Sequence, residues 1–527
     1  MVHVLESMQR RSFSLSVCAT VIGGLVACSP TRDGGPAVVL ESGDAAGSAA
    51  SSGILDAGQK DRDTAGQDAA GRDTAGRVAA VPSPDGGGEG ENGNTVSAPS
   101  DGVEATPLDA GAPGDDAGAD ASTVPAPIDP ELERLSALAA RLAPLAERTA
   151  TFWLEHGPDA VSGGFYATLD QQGSPIAPED KGLIQQARHL WMLSTWYERR
   201  APTPTLAELA AQQFSFLRQS FVDATDGAFV YKVSRDGGRV VDGRKQLFAE
   251  SYAIYALSTY GRVFQVPDAT ALALARFESI DASRHDAVNG GYDQRGDPGE
   301  LPAGAAKDTN THLHLMEAFT ALYEATADAG VAARLDELVE LFATRLRQPS
   351  GYVHAAFTLD WALVGAPRVS YGHDLETAWL LLEAARVVGR SADPAVTGAA
   401  LAIAAHSAAR GFDTALGGYF EAGVPDAAPD DLDKVWWVQF EAIEGLWWAN
   451  ALSGDALYLD RLERSLGWIE STEDRPSGEW FAATNADGSA AGASYKGDEW
   501  KASYHSVRAL VYLQDWIDAE RALRTTR

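Results

Sequence analysis

Four segments of the chain hold side chains whose types and spacing could do chemistry. In Asn310-Thr311-His312-Leu313-His314-Leu315-Met316-Glu317, His314 and Glu317 are three apart and share a helical face. His312 and His314 are two apart, about 200° around a helix, and cannot easily bind one metal. In Tyr371-Gly372-His373-Asp374-Leu375-Glu376, His373 and Glu376 share a face in a first helical turn. The helix dipole there disfavours imidazolium and a nearby carboxylate favours it. Opposed influences of that kind can hold a histidine near neutral pH, ready to give or take a proton. Trp500-Lys501-Ala502-Ser503-Tyr504-His505 sets a third histidine among aromatic and basic residues. Trp436-Trp437-Val438-Gln439-Phe440-Glu441 has no histidine. Its paired indoles beside an amide and a carboxylate suit a sugar, which offers apolar C–H faces and a rim of hydroxyls. His156, His189, His285, His354 and His406 lie in ordinary contexts and read as structural or surface residues.

These segments fall on predicted helices. The apolar spacing predicts helices over Glu131 to Arg148, Phe248 to Val263, Leu313 to Ala325, Leu375 to Val388 and Val435 to Leu452. Asn310 or Thr311 is suited to cap the third of them. Most are apolar around much of their circumference, as helices packed on more than one side must be. No run of alternating strands indicates a sandwich. A Gly followed by an aromatic recurs six times, at Gly164-Phe165, Gly227 before Phe229, Gly291-Tyr292, Gly351-Tyr352, Gly418-Tyr419 and Gly478 before Trp480, about 60–67 residues apart. Each interval has room for two helices and their loops. Six helix pairs closing on themselves predict an all-α fold, an (α/α)6 barrel over residues 130–527. The Gly-aromatic units would form turns at one end.

The N-terminal region reads differently. Arg10 and Arg11 precede an apolar stretch from about Phe13 to Ala27, too short to span a membrane. It ends in Leu25-Val26-Ala27-Cys28, which resembles a bacterial lipobox. Residues 1–27 are therefore expected to be a lipoprotein signal peptide, with Met8 a possible start and Cys28 the lipidated residue. The only other cysteine, Cys18, falls within the leader. No thiol would then remain for a disulfide, a nucleophile or a zinc site. Residues 28–129 are rich in Ala, Gly, Asp, Ser and Pro, with Asp-Thr-Ala-Gly repeated at Asp63 and Asp73. Such a segment buries too little apolar surface to offset its ordering entropy and reads as a disordered acidic linker. Its reach is roughly 50–60 Å. A secreted protein held by lipid to a bacterial membrane is expected, and Ser29 points to the outer membrane. The net charge of −32 over 527 residues argues against nucleic acid as a partner.

The chemical segments together resemble the motif set of the N-acylglucosamine 2-epimerase family, over about Leu135 to Leu513. Gln186-Ala187-Arg188-His189-Leu190-Trp191 is similar to the family's early Arg motif, and the other four segments match later motifs in order. His373-Asp374-Leu375-Glu376 with Trp379-Leu380, and Trp500-Lys501 before Tyr504-His505, are closest to the cellobiose 2-epimerase branch. The resemblance implies a sugar epimerase that inverts C2 of the reducing-end unit of a β-1,4-linked disaccharide. It implies His373 and His505 as general acid/bases and Arg188 as the cation beside the developing enediolate. It gives His314 to ring opening and Glu376 and Glu441 to positioning the histidines. Asn310, Trp436 and Trp437 would line the pocket, and Trp500 would carry the second sugar ring. No cofactor is implied. The ligand types at His314, Glu317, His373 and Glu376 could suit zinc, yet no HxxxH pair supports it, and no metal is expected. The expected partner is a mono- or disaccharide, bound by a monomer that meets the membrane only through its lipid.

Four residues depart from the branch: Ser503 in place of Pro, Ser506 in place of Asn, Phe440 in place of a small residue, and Phe248 where Tyr is expected. The rival readings are an aldose–ketose isomerase of the mannose/fructose type, an (α/α)6 glycoside hydrolase using Glu376 and Glu441, and a non-catalytic carbohydrate-binding lipoprotein.

Overall fold

The computed structural model describes residues 130–297, 301–491 and 495–526. The expected signal peptide, Cys18, Cys28 and the whole of the expected linker lie outside the described residues.

Twelve helices make up the described fold: α1 (Pro130–His156), α2 (Leu183–Arg199), α3 (Pro204–Phe221), α4 (Leu247–Val263), α5 (Pro267–Arg284), α6 (Thr309–Thr326), α7 (Ala329–Leu341, prolonged by one wider turn), α8 (Tyr371–Val387), α9 (Pro394–Arg410), α10 (Trp436–Ser453), α11 (Ala456–Thr472) and α12 (Tyr504–Thr525). The even-numbered helices form a closed inner ring. α2 packs on α4, α4 on α6, α6 on α8, α8 on α10, α10 on α12, and α12 returns to α2. The odd-numbered helices lie outside, α1 on α12, α3 on α2, α5 on α4, α7 on α6, α9 on α8 and α11 on α10. This is the expected (α/α)6 barrel. The layering follows from side-chain distribution. Inner helices such as α8 and α10 are buried around nearly their whole circumference, whereas α5 buries only Ala269, Ala273, Phe277 and Ile280.

Each Gly-aromatic unit is a tight hairpin between an outer helix and the next inner one. The aromatic residue, or its neighbour, pairs back across the turn: Phe165 with Pro158, Phe229 with Val222, Tyr292 with His285, Val353 with Arg347, Tyr419 with Phe412 and Trp480 with Glu473. Gly291 shows why glycine is needed. Its φ is +72°, and a Cβ there would stand 2.7 Å from the Trp361 ring.

Two repeated contacts fasten the hairpins. The fourth residue of an inner helix accepts a hydrogen bond from a hairpin backbone N–H: Gln186 from Phe165, Glu250 from Phe229, His312 from Tyr292, Asp374 from Val353 and Gln439 from Tyr419. A lysine two residues before the inner helix pairs with the aspartate that opens the hairpin: Lys181–Asp159, Lys245–Asp223, Lys307–Asp286 and Lys434–Asp413. Lys496, farther ahead of α12, pairs with Asp474 in the same way. The hairpins thus crowd the end of the barrel where the inner helices begin.

Helix starts match the sequence reading to within a few residues, except at α6 and α8, which begin four residues early. At α6 the cap is neither Asn310 nor Thr311. Asp308 accepts from Thr311 N at 2.6 Å, so both expected caps lie inside the helix.

Candidate active site

The register that puts the fourth residue of an inner helix on a hairpin puts the sixth about 200° away, on the barrel axis. The sixth residues of five successive inner helices are Arg188, Tyr252, His314, Glu376 and Glu441. The last inner helix adds His505 and Arg508. These side chains form one hydrogen-bonded belt. Arg188 Nη2 donates to Tyr252 Oη at 2.7 Å, and its Nη1 to the Trp500 carbonyl at 2.5 Å. Tyr252 Oη lies 3.0 Å from His314 Nε2, and His314 Nδ1 lies 3.1 Å from Glu317 Oε2. Tyr504 Oη and Arg508 both donate to Glu317 Oε1. Arg508 Nη2 donates at 2.7 Å to Glu376 Oε1 and at 2.7 Å to Glu441 Oε1. Glu441 Oε1 lies 2.6 Å from His505 Nδ1, and its Oε2 accepts from Trp379 Nε1 at 2.9 Å.

His373 stands beside this belt. Its ring centroid is 4.7 Å from that of Trp437, and the His505 ring is 5.6 Å from the same indole. The two imidazoles therefore flank one tryptophan. Trp436 meets His505 edge-on at 6.2 Å. The Trp500 ring lies 6.3 Å from Phe248, which is 5.4 Å from His314. Asn310 Oδ1, Arg188 Nε and Trp436 Nε1 are buried without a hydrogen-bond partner among the described residues. Unsatisfied buried polar atoms of this kind are costly unless a ligand pairs with them.

The electrostatics follow from burial and one arginine. Burial pushes Glu317 up, but Arg508 and His314 outweigh it and hold its carboxyl at about 2. Burial, reinforced by the facing Glu441, raises Glu376 to about 7. Burial raises Glu441 too, with Arg508 opposing. Burial holds His373 down at about 3, helped by His314. His505 falls well below its usual value through burial, with Arg188 and Arg508 adding to it. The expected balance at His373 is therefore absent. Glu376 turns to Arg508 rather than to His373, and among the described residues no carboxylate restores the imidazolium.

All ten expected site residues fall at or beside this end of the barrel. Several of their neighbours do not take part. His312 is a hairpin clamp, with Nδ1 2.7 Å from the Asp308 carbonyl. Gln439 exchanges two 2.8 Å hydrogen bonds with the Tyr419 backbone. Lys501 is buried against Glu479 at 2.6 Å, so the basic character of that segment is neutralised. The departures are explained in the same way. Ser503 Oγ lies 3.2 Å from His189 Nδ1, Ser506 Oγ lies 3.4 Å from Thr149 Oγ1, and Phe440 packs edge-on against Trp480 at 4.9 Å. Only Phe248 stands at the pocket. Tyr252 and Arg508 escaped the sequence reading. Tyr252 holds the sixth position of its helix, and Arg508 interrupts the apolar run from Val507 to Leu513.

The chain is similar to known proteins of one family. Residues 163–509 match the family model of N-acylglucosamine 2-epimerase. A cellobiose 2-epimerase of Bacteroides fragilis is 32% identical over 386 residues, covering 70% of this chain and 96% of the relative. The structure of cellobiose 2-epimerase from Spirochaeta thermophila superposes with a TM-score of 0.67 at 31% identity, over 75% of this chain and 99% of that one. A D-mannose isomerase structure at 20% identity and a TM-score of 0.64, over 71% of this chain and 97% of that one, shares the fold. The relatives are isomerase-class enzymes acting on sugars, and this chain belongs to the N-acylglucosamine 2-epimerase family.

Proposed function

We propose that the protein inverts C2 of the reducing-end unit of a β-1,4-linked disaccharide through an enediolate, with His373 and His505 as the two acid/bases. The observation that carries this reading is the pair of imidazoles flanking Trp437. Inversion removes the C2 proton from one face and returns one to the other. One base cannot easily serve both faces, whereas two bases on inner helices either side of α10 can. Burial keeps both imidazoles neutral enough to accept a proton. The open-chain aldehyde is the electron sink, so no cofactor is required.

The charge that develops on the enediolate oxygens meets three sources of positive potential. Arg188 is held by Tyr252 and the Trp500 carbonyl and has no carboxylate partner in the belt. Arg508 lies deeper. All six inner helices point their N-termini toward this end, where backbone dipoles favour negative charge. Donors fixed in advance in this way stabilise a transition state without reorganising. His314, linked to Tyr252 and Glu317, suits proton transfer at the ring oxygen during ring opening. Asn310, Trp436 and Trp437 receive the reacting sugar. Trp500 and Phe248 offer apolar faces to a second ring, and similarity at 31–32% identity to two cellobiose 2-epimerases supports a disaccharide.

The lipobox-like Cys28 and the acidic linker support a secreted, lipid-anchored protein held clear of a membrane. The test of the activity is incubation with cellobiose, lactose, mannobiose, mannose and glucose and identification of the products. A C2-epimeric disaccharide is expected. A ketose from mannose would transfer the assignment to an aldose–ketose isomerase, and no reaction from a folded protein would favour carbohydrate binding alone.

A further inference from the structure

The reaction needs an acid as well as a base, yet neither histidine of the pair is placed to carry a positive charge easily. The belt offers a proton from elsewhere. Glu376 and Glu441 come from adjacent inner helices and meet at a single atom, Arg508 Nη2, 2.7 Å from an oxygen of each. One acceptor atom from each of Glu376, Glu441 and His505 lies within 4.8 Å of the others. Both carboxyls are fully enclosed, and Arg508 already neutralises Glu317. Two buried carboxylates this close, with part of one guanidinium between them, cannot both ionise at modest cost.

We propose that Glu376 and Glu441 share one proton, and that Glu441 relays it to His505 Nδ1 as His505 Nε2 gives its own proton to C2. The inference rests on the epimerase reading and deepens it. The proton balance is simple. In the resting state the carboxyl proton of Glu441 faces Nδ1 at 2.6 Å, and His505 is the Nε2–H tautomer. The Nε2–H bond breaks as the C2–H bond forms, while the Glu441 O–H bond breaks and an Nδ1–H bond forms. His505 stays neutral and changes tautomer, and the carboxyl pair gains one negative charge beside Arg508. In the opposite direction Nε2 takes the C2 proton and Nδ1 returns one to Glu441. Glu376 acts here as a positioning residue: its charge across Arg508 is what makes Glu441 hold the proton.

The surroundings agree. Facing the pair are Glu317 and His314 from α6, His373 from α8, Glu444 from α10, and Tyr504, His505 and Arg508 from α12, with Arg188 and Tyr252 on the far side of the belt. Glu444 lies one turn below Glu441, with both carboxyl oxygens buried and unpartnered among the described residues. Burial, with Glu441 adding to it, raises it well above the ordinary range. It makes no hydrogen bond to Arg508 and leaves that guanidinium to the pair. Burial raises Glu376 to about 7, with Glu441 the next cause, which puts loss of the shared proton in the working range.

The test begins with resting wild-type protein carrying 15N-histidine and no substrate. The His505 resonances should report the neutral Nε2–H tautomer at neutral pH and convert to Nδ1–H as the shared proton leaves. An imidazolium at neutral pH would overturn the proposal, whatever the activity. Infrared difference spectra should show one protonated carboxyl titrating near neutrality that is lost in Glu376→Gln and equally in Glu441→Gln. Persistence of that band in either variant would also overturn it. Glu444→Gln should remove a separate band that does not titrate there. If the sugar assays support epimerisation, Glu376→Gln should move the alkaline limb of the rate profile down by about one pH unit. A uniform loss with an unmoved limb would mean a structural role only.

Discussion

At the scale of single residues, the site separates into groups that touch one another and groups left open. His505 is locked to Glu441, His314 to Glu317 and Tyr252, whereas Arg188 Nε, Asn310 Oδ1 and Trp436 Nε1 lack partners among the described residues. The open groups are those a sugar would satisfy. His373→Ala and His505→Ala should each lower C2 inversion by at least about a thousandfold, with unchanged circular dichroism. Near-normal epimerisation in both would remove the two-base account. Trp500→Ala should raise KM for cellobiose more than for mannose, since one sugar ring has no use for a platform beyond the reacting unit. Equal losses would remove the platform role of the indole.

At the scale of elements, the sequence showed the six Gly-aromatic hairpins and their spacing, and from these the barrel. It concealed the register that builds the site. The clamping residues at the fourth position are Gln186, Glu250, His312, Asp374 and Gln439. They share only the ability to accept a hydrogen bond, so no residue pattern marks them. The same register would have found Tyr252, two residues after Glu250. Arg508 is harder to find, because its helix starts differently and its three carboxylate partners come from helices distant in sequence. The paired lysines carry no sign of burial in their sequence context. Lys434 is fully buried, 2.7 Å from Asp413. Lys434→Met leaves that carboxylate uncompensated and should cost about 3–5 kcal/mol in chemical denaturation. Arg218→Ala, which breaks an exposed pair with Asp268, should change stability little.

At the scale of the whole molecule, buried ionisable groups set the dependence of stability on pH. Burial holds His189, His312 and His373 at about 3, below the ordinary 6.5. The unfolded chain binds those protons first, so stability falls as pH drops below about 6.5. Glu317, held at about 2 against 4.5, adds a further loss as pH falls through that interval. Glu376 and Glu421, raised to about 7 mainly by burial, act in the opposite sense. Their contribution is complete below about 4.5 and is lost as pH rises through 7. The two trends oppose each other between about 4.5 and 6.5, and only the acid losses act below that. Thermal melts should therefore change little across mildly acidic pH and collapse steeply below about 4.5. Glu376→Gln should reduce the decline toward pH 7, and a melt curve that rises steadily down to pH 3 would contradict this description of the interior. The most direct measurement is proton NMR of cellobiose incubated with the protein in D2O. A C2-epimeric disaccharide that carries deuterium at C2 is expected, since the proton returned by the second histidine comes from exchangeable sites. An epimer that keeps its original hydrogen at C2 from the first turnover would contradict a two-base enediolate route.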